Sequence, residues 1–294
     1  MTEGPNDSHR FHIRVPRDMR EAMFTRANIA RTLLLGVFLL FTFAPLYWMF
    51  ITSIKPSDDY LAVPPVWFPA EPTILHYTAA LFAYRGLDGL INSLIISLAA
   101  TLLSTLLGTL MAYSLARFNT GGQHLSFWVL SQRFLPPIAT VLPIFLIYRG
   151  LGLHDTHFGM IIAYTVFTLP VTVWMMFAYF RQMPKSLEEA ALVDGCTRWQ
   201  SLWRVAIPLA APGIVAAAVF AFIACWTEFF FALVLTSRTA FTLPTVFRAF
   251  LGFQGAQYGE ASALAMVSLV PSIILGILVQ RHLVRGLTLG AVRG

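Results

Sequence analysis

Residues 184–208 read PKSLEEAALVDGCTRWQSLWRVAIP, a polar, amphipathic stretch set between long apolar runs at about 159–180 and 213–235. Ser186 with Glu189 three residues on has the form of a capping box, in which each side chain satisfies the other residue's backbone N–H at a helix start. This predicts about two helical turns over 187–194, stopped by Gly195, which takes positive φ without steric cost. Thr197 with Gln200 repeats the box and starts a second helix running to about Ala206 and ended by Pro208. The local expectation is therefore helix, glycine corner, helix. On the first helix Leu187, Ala190, Ala191 and Asp194 share a face, with Glu188 and Glu189 beside it. Small apolar side chains flanked by carboxylates suit a groove on another protein that carries basic groups. A helix lying on lipid would carry Lys and Arg instead.

The rest of the chain says where this stretch lies. Of the 294 residues, 57% are hydrophobic and 12% charged, with mean hydropathy +0.70, against roughly 45–50% and 25% in soluble domains. Six apolar segments stand at about 32–54, 90–116, 126–149, 159–180, 213–235 and 261–283. Each exceeds the ~20 residues a helix needs to cross the hydrocarbon core. The fold class expected is all-α, a polytopic membrane protein of six transmembrane helices. With the N-terminus inside, the external segments hold Lys55, Arg85, Arg149, Arg238 and Arg248, and Arg133 falls within a span; the other 14 of the 20 Lys and Arg are cytoplasmic. That bias puts both termini and residues 184–208 in the cytoplasm. It also accounts for the basic pI without invoking nucleic acid. The expected division is a cytoplasmic N-terminal segment 1–29, a six-helix domain 30–284 containing the loop 184–208, and a cytoplasmic tail 285–294.

Polar residues inside the spans are the next candidates. The second span sets Ser97, Thr101, Ser104, Thr105, Gly108 and Ala112 at three- and four-residue spacing, a face that lets helix backbones approach closely. Pro136, Pro137 and Pro143 interrupt the third span, and Arg133 beside the break must face protein, a cavity or the interface. Glu228, beside Trp226 and Thr227, is the only mid-span carboxylate. These points make Arg133, Trp226 and Glu228 candidates for a pathway or subunit interface. The sequence offers no metal site: Cys196 and Cys225 fall in a loop and an apolar span, and His154 and His157 read as unpaired loop residues.

Glu189-Ala190-Ala191, three residues, Gly195, nine residues, then Val205-Ala206-Ile207-Pro208 resembles the EAA loop of permease subunits of bacterial ABC importers. Val205 and Ile207 replace the usual Ile and Leu, both conservatively. SIKP at 53–56, PPVWFP at 64–69, NSLIIS at 92–97, LPP at 135–137, GLGLHDT at 150–156, CWTEFFFAL at 225–233 and the terminal RGLTLGAVRG extend the likeness over nearly the whole chain. They resemble the carbohydrate-uptake class, in its shorter maltose-transporter-type subunit, with Thr227 where that class commonly has Asn.

The resemblance implies a permease in the bacterial inner membrane that forms half of the pathway for a sugar, polyol or glycoside. A second homologous permease, homodimeric ATPase subunits and an extracytoplasmic binding protein would complete it. Glu188, Glu189, Ala190, Ala191, Asp194, Gly195 and Pro208 would couple it to the ATPase. The chain itself lacks the usual nucleotide loop: its only lysines, Lys55 and Lys185, do not follow glycine, as GxxxxGK[ST] requires. ATP and Mg are thus expected on the partner, with no cofactor on this chain and no enzymatic activity of its own. A stand-alone secondary transporter or channel and a polytopic membrane enzyme are the alternatives. Six spans without an internal repeat weigh against the first, and the lack of HExxH or GxSxG against the second.

Overall fold

The structure, a computed structural model, describes residues 17–252 and 255–291. The expectations for 1–16 and for the tail at 292–294 fall outside the described residues. Helix α1 (Arg17–Ile54) begins before the apolar run, so residues 17–29 extend the helix of the first span at its start. Leu33, Leu34, Val37, Phe38, Leu40 and Phe41 on it are all exposed, as befits a helix facing lipid. After the short α2 (Leu75–Thr78), α3 (Gly86–Phe118) runs through the middle of the bundle.

Helices α4 (Gly122–Ser131) and α5 (Pro137–Gly150) replace a continuous third span, bent by 94° about the break at 135–136. Leu135 and Pro136 each precede a proline, which disfavours the helical region, and both are extended at ψ 121° and 131°. Pro137 then opens α5, where a missing N–H costs nothing. Helix α6 (His157–Gln182) is followed by α7 (Ser186–Val193), α8 (Arg198–Ser201) and α9 (Ile207–Trp226). The fifth span ends at Trp226 rather than near 235, and α10 (Phe230–Leu235) is a separate short helix. Then come α11 (Leu243–Val246), a two-residue antiparallel ladder of β1 (Leu251–Gly252) and β2 (Gly255–Ala256), and α12 (Tyr258–Ala291), a helix that runs on beyond the span into the expected tail. Among the described residues five helices are long and apolar enough to cross a membrane, six spans if the bent pair counts as one.

Helices α3 and α6 form the central pair, with α9 against both and α12 bridging α9 to α1. The small-residue face of α3 is what permits this. Ser97, Ser104, Thr105, Gly108 and Ala112 are buried, and a Cβ added at Gly108 would lie 2.7 Å from Thr172 Cγ2 on α6. At the end of the bundle beside the 184–208 loop, Ala112, Tyr113, Met176, Phe180, Leu202 and Ala206 pack into one cluster, which roots that loop in the bundle.

Candidate functional site

Pro184 holds Met183 extended (ψ 133°), which ends α6. Helix α7 starts one residue earlier than the sequence suggests. Lys185 occupies the N-cap in a helical conformation with no side-chain cap bond, so Ser186 is already the first helical residue and the Ser186–Glu189 box does not form. The far end follows expectation closely. Gly195 sits at φ +87°, its N–H donates to Leu192 O (3.1 Å), and Cys196 N–H donates to Ala191 O (2.9 Å). These two bonds make a Schellman motif, which satisfies the last carbonyls of α7 within the turn itself. Thr197 and Gln200 exchange both bonds of a capping box at the start of α8, at 3.2 and 2.8 Å. Pro208 does not end this second helix. Leu202–Ala206 form a π turn, Ile207 N–H reaches Leu202 O, and the chain continues into α9 with Pro208 in its first turn. Widening the ladder there relieves the clash a proline ring makes with the carbonyl four residues back.

The expected face of α7 is divided. Leu187, Glu189, Ala190, Val193 and Asp194 are exposed, Val193 at 87%. Glu188 and Ala191 instead turn inward and are buried. Glu188 accepts hydrogen bonds from Tyr113 Oη and Arg117 Nε on α3, each at 2.7 Å.

The candidates within the spans also separate. Arg133, exposed at the bend between α4 and α5, donates to Phe167 O (3.2 Å), with its guanidinium 4.6 Å from the Phe167 ring. It borders a cleft of about 620 Å³ that Thr140, Tyr148, Pro170 and Phe231 also line. Trp226 is buried, stacked on Phe222 at 5.7 Å and 14°, a core position among Phe241, Leu243 and Leu264. The Glu228 carboxylate accepts from Phe231 N–H (2.9 Å) and Ala232 N–H (3.2 Å) and so caps α10. This explains why the fifth span breaks at 227–229. Phe231 in turn packs 5.7 Å from Phe167, so Arg133 and Glu228 act on one aromatic pair without touching each other.

The pattern described as binding-protein-dependent transport system inner membrane component matches residues 104–289. The chain belongs to this family. The trehalose transport system permease protein of Mycobacterium tuberculosis is 36% identical over 274 residues, covering 90% of this chain and 95% of that one. The trehalose/maltose transport system permease protein of Thermococcus litoralis is 32% identical over 290 residues, covering 94% and 100%. The sulfoquinovosyl glycerol transport system permease protein of Agrobacterium fabrum is 35% identical, covering 85% and 88%. A chain in the crystal structure of a bacterial ABC transporter that imports the acidic polysaccharide alginate shares the fold at TM-score 0.72 and 24% identity, covering 91% of this chain and 98% of that one.

In this transport component, sequence reasoning missed two groups. Arg117 read only as a cytoplasmic charge, and its pairing with Glu188 joins residues 71 apart. On the opposite end, Asp155 (φ 58°) accepts from Ser237, Arg238, Thr239 and Ala240 backbone N–H at 2.9–3.1 Å and from Ser237 Oγ at 3.0 Å. Burial alone would raise its pKa, but these four N–H groups outweigh it and hold the carboxyl well below the usual carboxylate range. Asn92 Nδ2 donates to Thr239 O (2.8 Å) and Phe241 O (2.9 Å) of the same loop, and Asn92 Oδ1 lies 2.7 Å from His157 Nε2. The only sequence signals were a polar residue opening an apolar helix and the LHDT string at 153–156.

Proposed function

We propose that this chain is one permease half of an ABC importer for a sugar or glycoside, coupled to a separate ATPase through α7 and the Gly195 corner. The observation that carries the coupling is the corner's construction. Its backbone bonds are closed internally, so Leu187, Glu189, Ala190, Val193 and Asp194 project from a rigid turn seated on the bundle core. Relatives named for trehalose, for trehalose and maltose, and for sulfoquinovosyl glycerol support the cargo class. In this reading α7 enters a cleft of the ATPase, and Glu189 meets a basic residue there. Nucleotide-driven closure of an ATPase dimer, which binds the ATP and Mg, then swings the bundle between inward- and outward-open states. A second permease completes the pathway and an external binding protein delivers the cargo. The charge bias supports cytoplasmic termini in a bacterial inner membrane.

The test is the purified complex in vesicles. Gly195→Asp or Glu189→Lys should leave membrane insertion intact and abolish cargo-stimulated ATP hydrolysis. Unchanged stimulation in both variants, or uptake driven by an ion gradient without ATP, would overturn the reading.

A further inference from the structure

The buried cluster of Tyr113, Arg117 and Glu188 joins three elements at one point. Arg117, on the last turn of α3, donates through Nε to Glu188 Oε1 on α7 (2.7 Å), through Nη1 to Phe180 O (2.8 Å) and through Nη2 to Met183 O (3.4 Å) at the end of α6. Tyr113, one turn earlier on α3, donates to the other carboxylate oxygen at 2.7 Å. The Arg117 and Glu188 side chains are only 6% and 11% exposed.

A buried ion pair is weak evidence for stability, because desolvation offsets most of its attraction. Its cost falls instead on any rearrangement that separates the partners and leaves a charge buried alone. This cluster is therefore a joint that resists opening when α7 is pulled. The alternative attachment between α7 and the bundle is slight: Ala191 is the sole buried apolar side chain among residues 186–193. Helix α3 is packed along its length on α6. A displacement of α7 that cannot open the joint must carry the α3–α6 pair with it.

We propose that Tyr113, Arg117 and Glu188 are positioning residues for energy coupling, a buried bolt that transmits the movement of α7 to the central α3–α6 pair. Glu188 thus works inward while its neighbour Glu189 works outward, one side of α7 for each partner. This rests on the reading of α7 as the ATPase-coupling helix.

The experiment measures ATPase co-purification, ATP hydrolysis and cargo uptake in the reconstituted complex. If the ATPase does not co-purify with the unmodified chain, the reading of α7 falls and this one with it. Given co-purification, Glu188→Gln and Arg117→Met should still bring down the ATPase and hydrolyse ATP. Uptake per ATP should drop about tenfold, a typical coupling term. Retained ATPase with an unchanged uptake-to-ATP ratio overturns the bolt and leaves the docking reading standing. Should either single variant fail to assemble, the reciprocal exchange Arg117→Glu with Glu188→Arg decides. Assembly with most of the ratio recovered supports the bolt; no recovery overturns it.

Discussion

The corner at 193–201 and the loop at 236–242 are both sharp reversals beside apolar helices, and both leave side chains in solvent. In the corner, every bond that fixes the backbone spans five residues or fewer, from Ala191 O to Cys196 N–H and between Thr197 and Gln200. In the other loop the groups that fix residues 237–241 come from 82 or more residues away: Asp155 supplies the acceptor and Asn92 and Arg85 the donors to its carbonyls, while Ser93 Oγ takes the Leu243 N–H just beyond. A turn closed by its own backbone can move as a body with whatever it docks on. A turn tied to two other helices reports their arrangement and cannot move without them.

The comparison breaks most sharply at Asp155. Replacing it with alanine removes the acceptor that four N–H donors share and should cost about 1.5–3 kcal/mol, read as faster amide hydrogen exchange over 237–240 and a lower unfolding temperature in detergent. The acid response sharpens the point. Because the folded carboxyl titrates below its unfolded value, its stabilisation is complete above about pH 4 and is lost as the pH falls through the depressed folded value. Asp155→Asn should abolish that acid-induced loosening while the corner at 193–201 shows none attributable to it. Gly195→Ala should cost about 1–2 kcal/mol through its positive φ alone, since no atom lies within 4 Å of the added methyl. Exchange over 191–197 should rise and that over 237–240 stay constant. The smallest effect, about 1 kcal/mol, is expected for Thr197→Ala, which removes one half of a cap and should fray α8 alone in the same measurement.

The same division governs what the sequence discloses. Gly195, Thr197 and Gln200 could be read because their signals act within five residues. The proline break of the third span was equally local, though its 94° bend was not foreseeable from composition. Ser186 misled because the start of α7 is set by Pro184 upstream and by the inward pull on Glu188, which local capping rules do not contain. Glu228 stood out as an anomaly in an apolar run, yet its work as the cap of α10 depends on the helix ending at Trp226. Asp155 and Arg117 gave almost no signal, since a charge at a loop or helix end is ordinary until the residue it meets is known.

The π turn at Leu202–Ala206 sets a phase. It holds one residue more than an α-helical turn would, and each residue advances the helix by about 100°. Deleting any one residue between the corner and Pro208 would leave every side chain of α7 unchanged in kind. It would nonetheless swing the whole corner by about that angle around the axis of α9, and restore an α-helical ladder in which the carbonyl four residues back meets the proline ring. The spacing between Gly195 and Pro208 is therefore an angular setting, which fixes the direction in which the exposed side chains of α7 point.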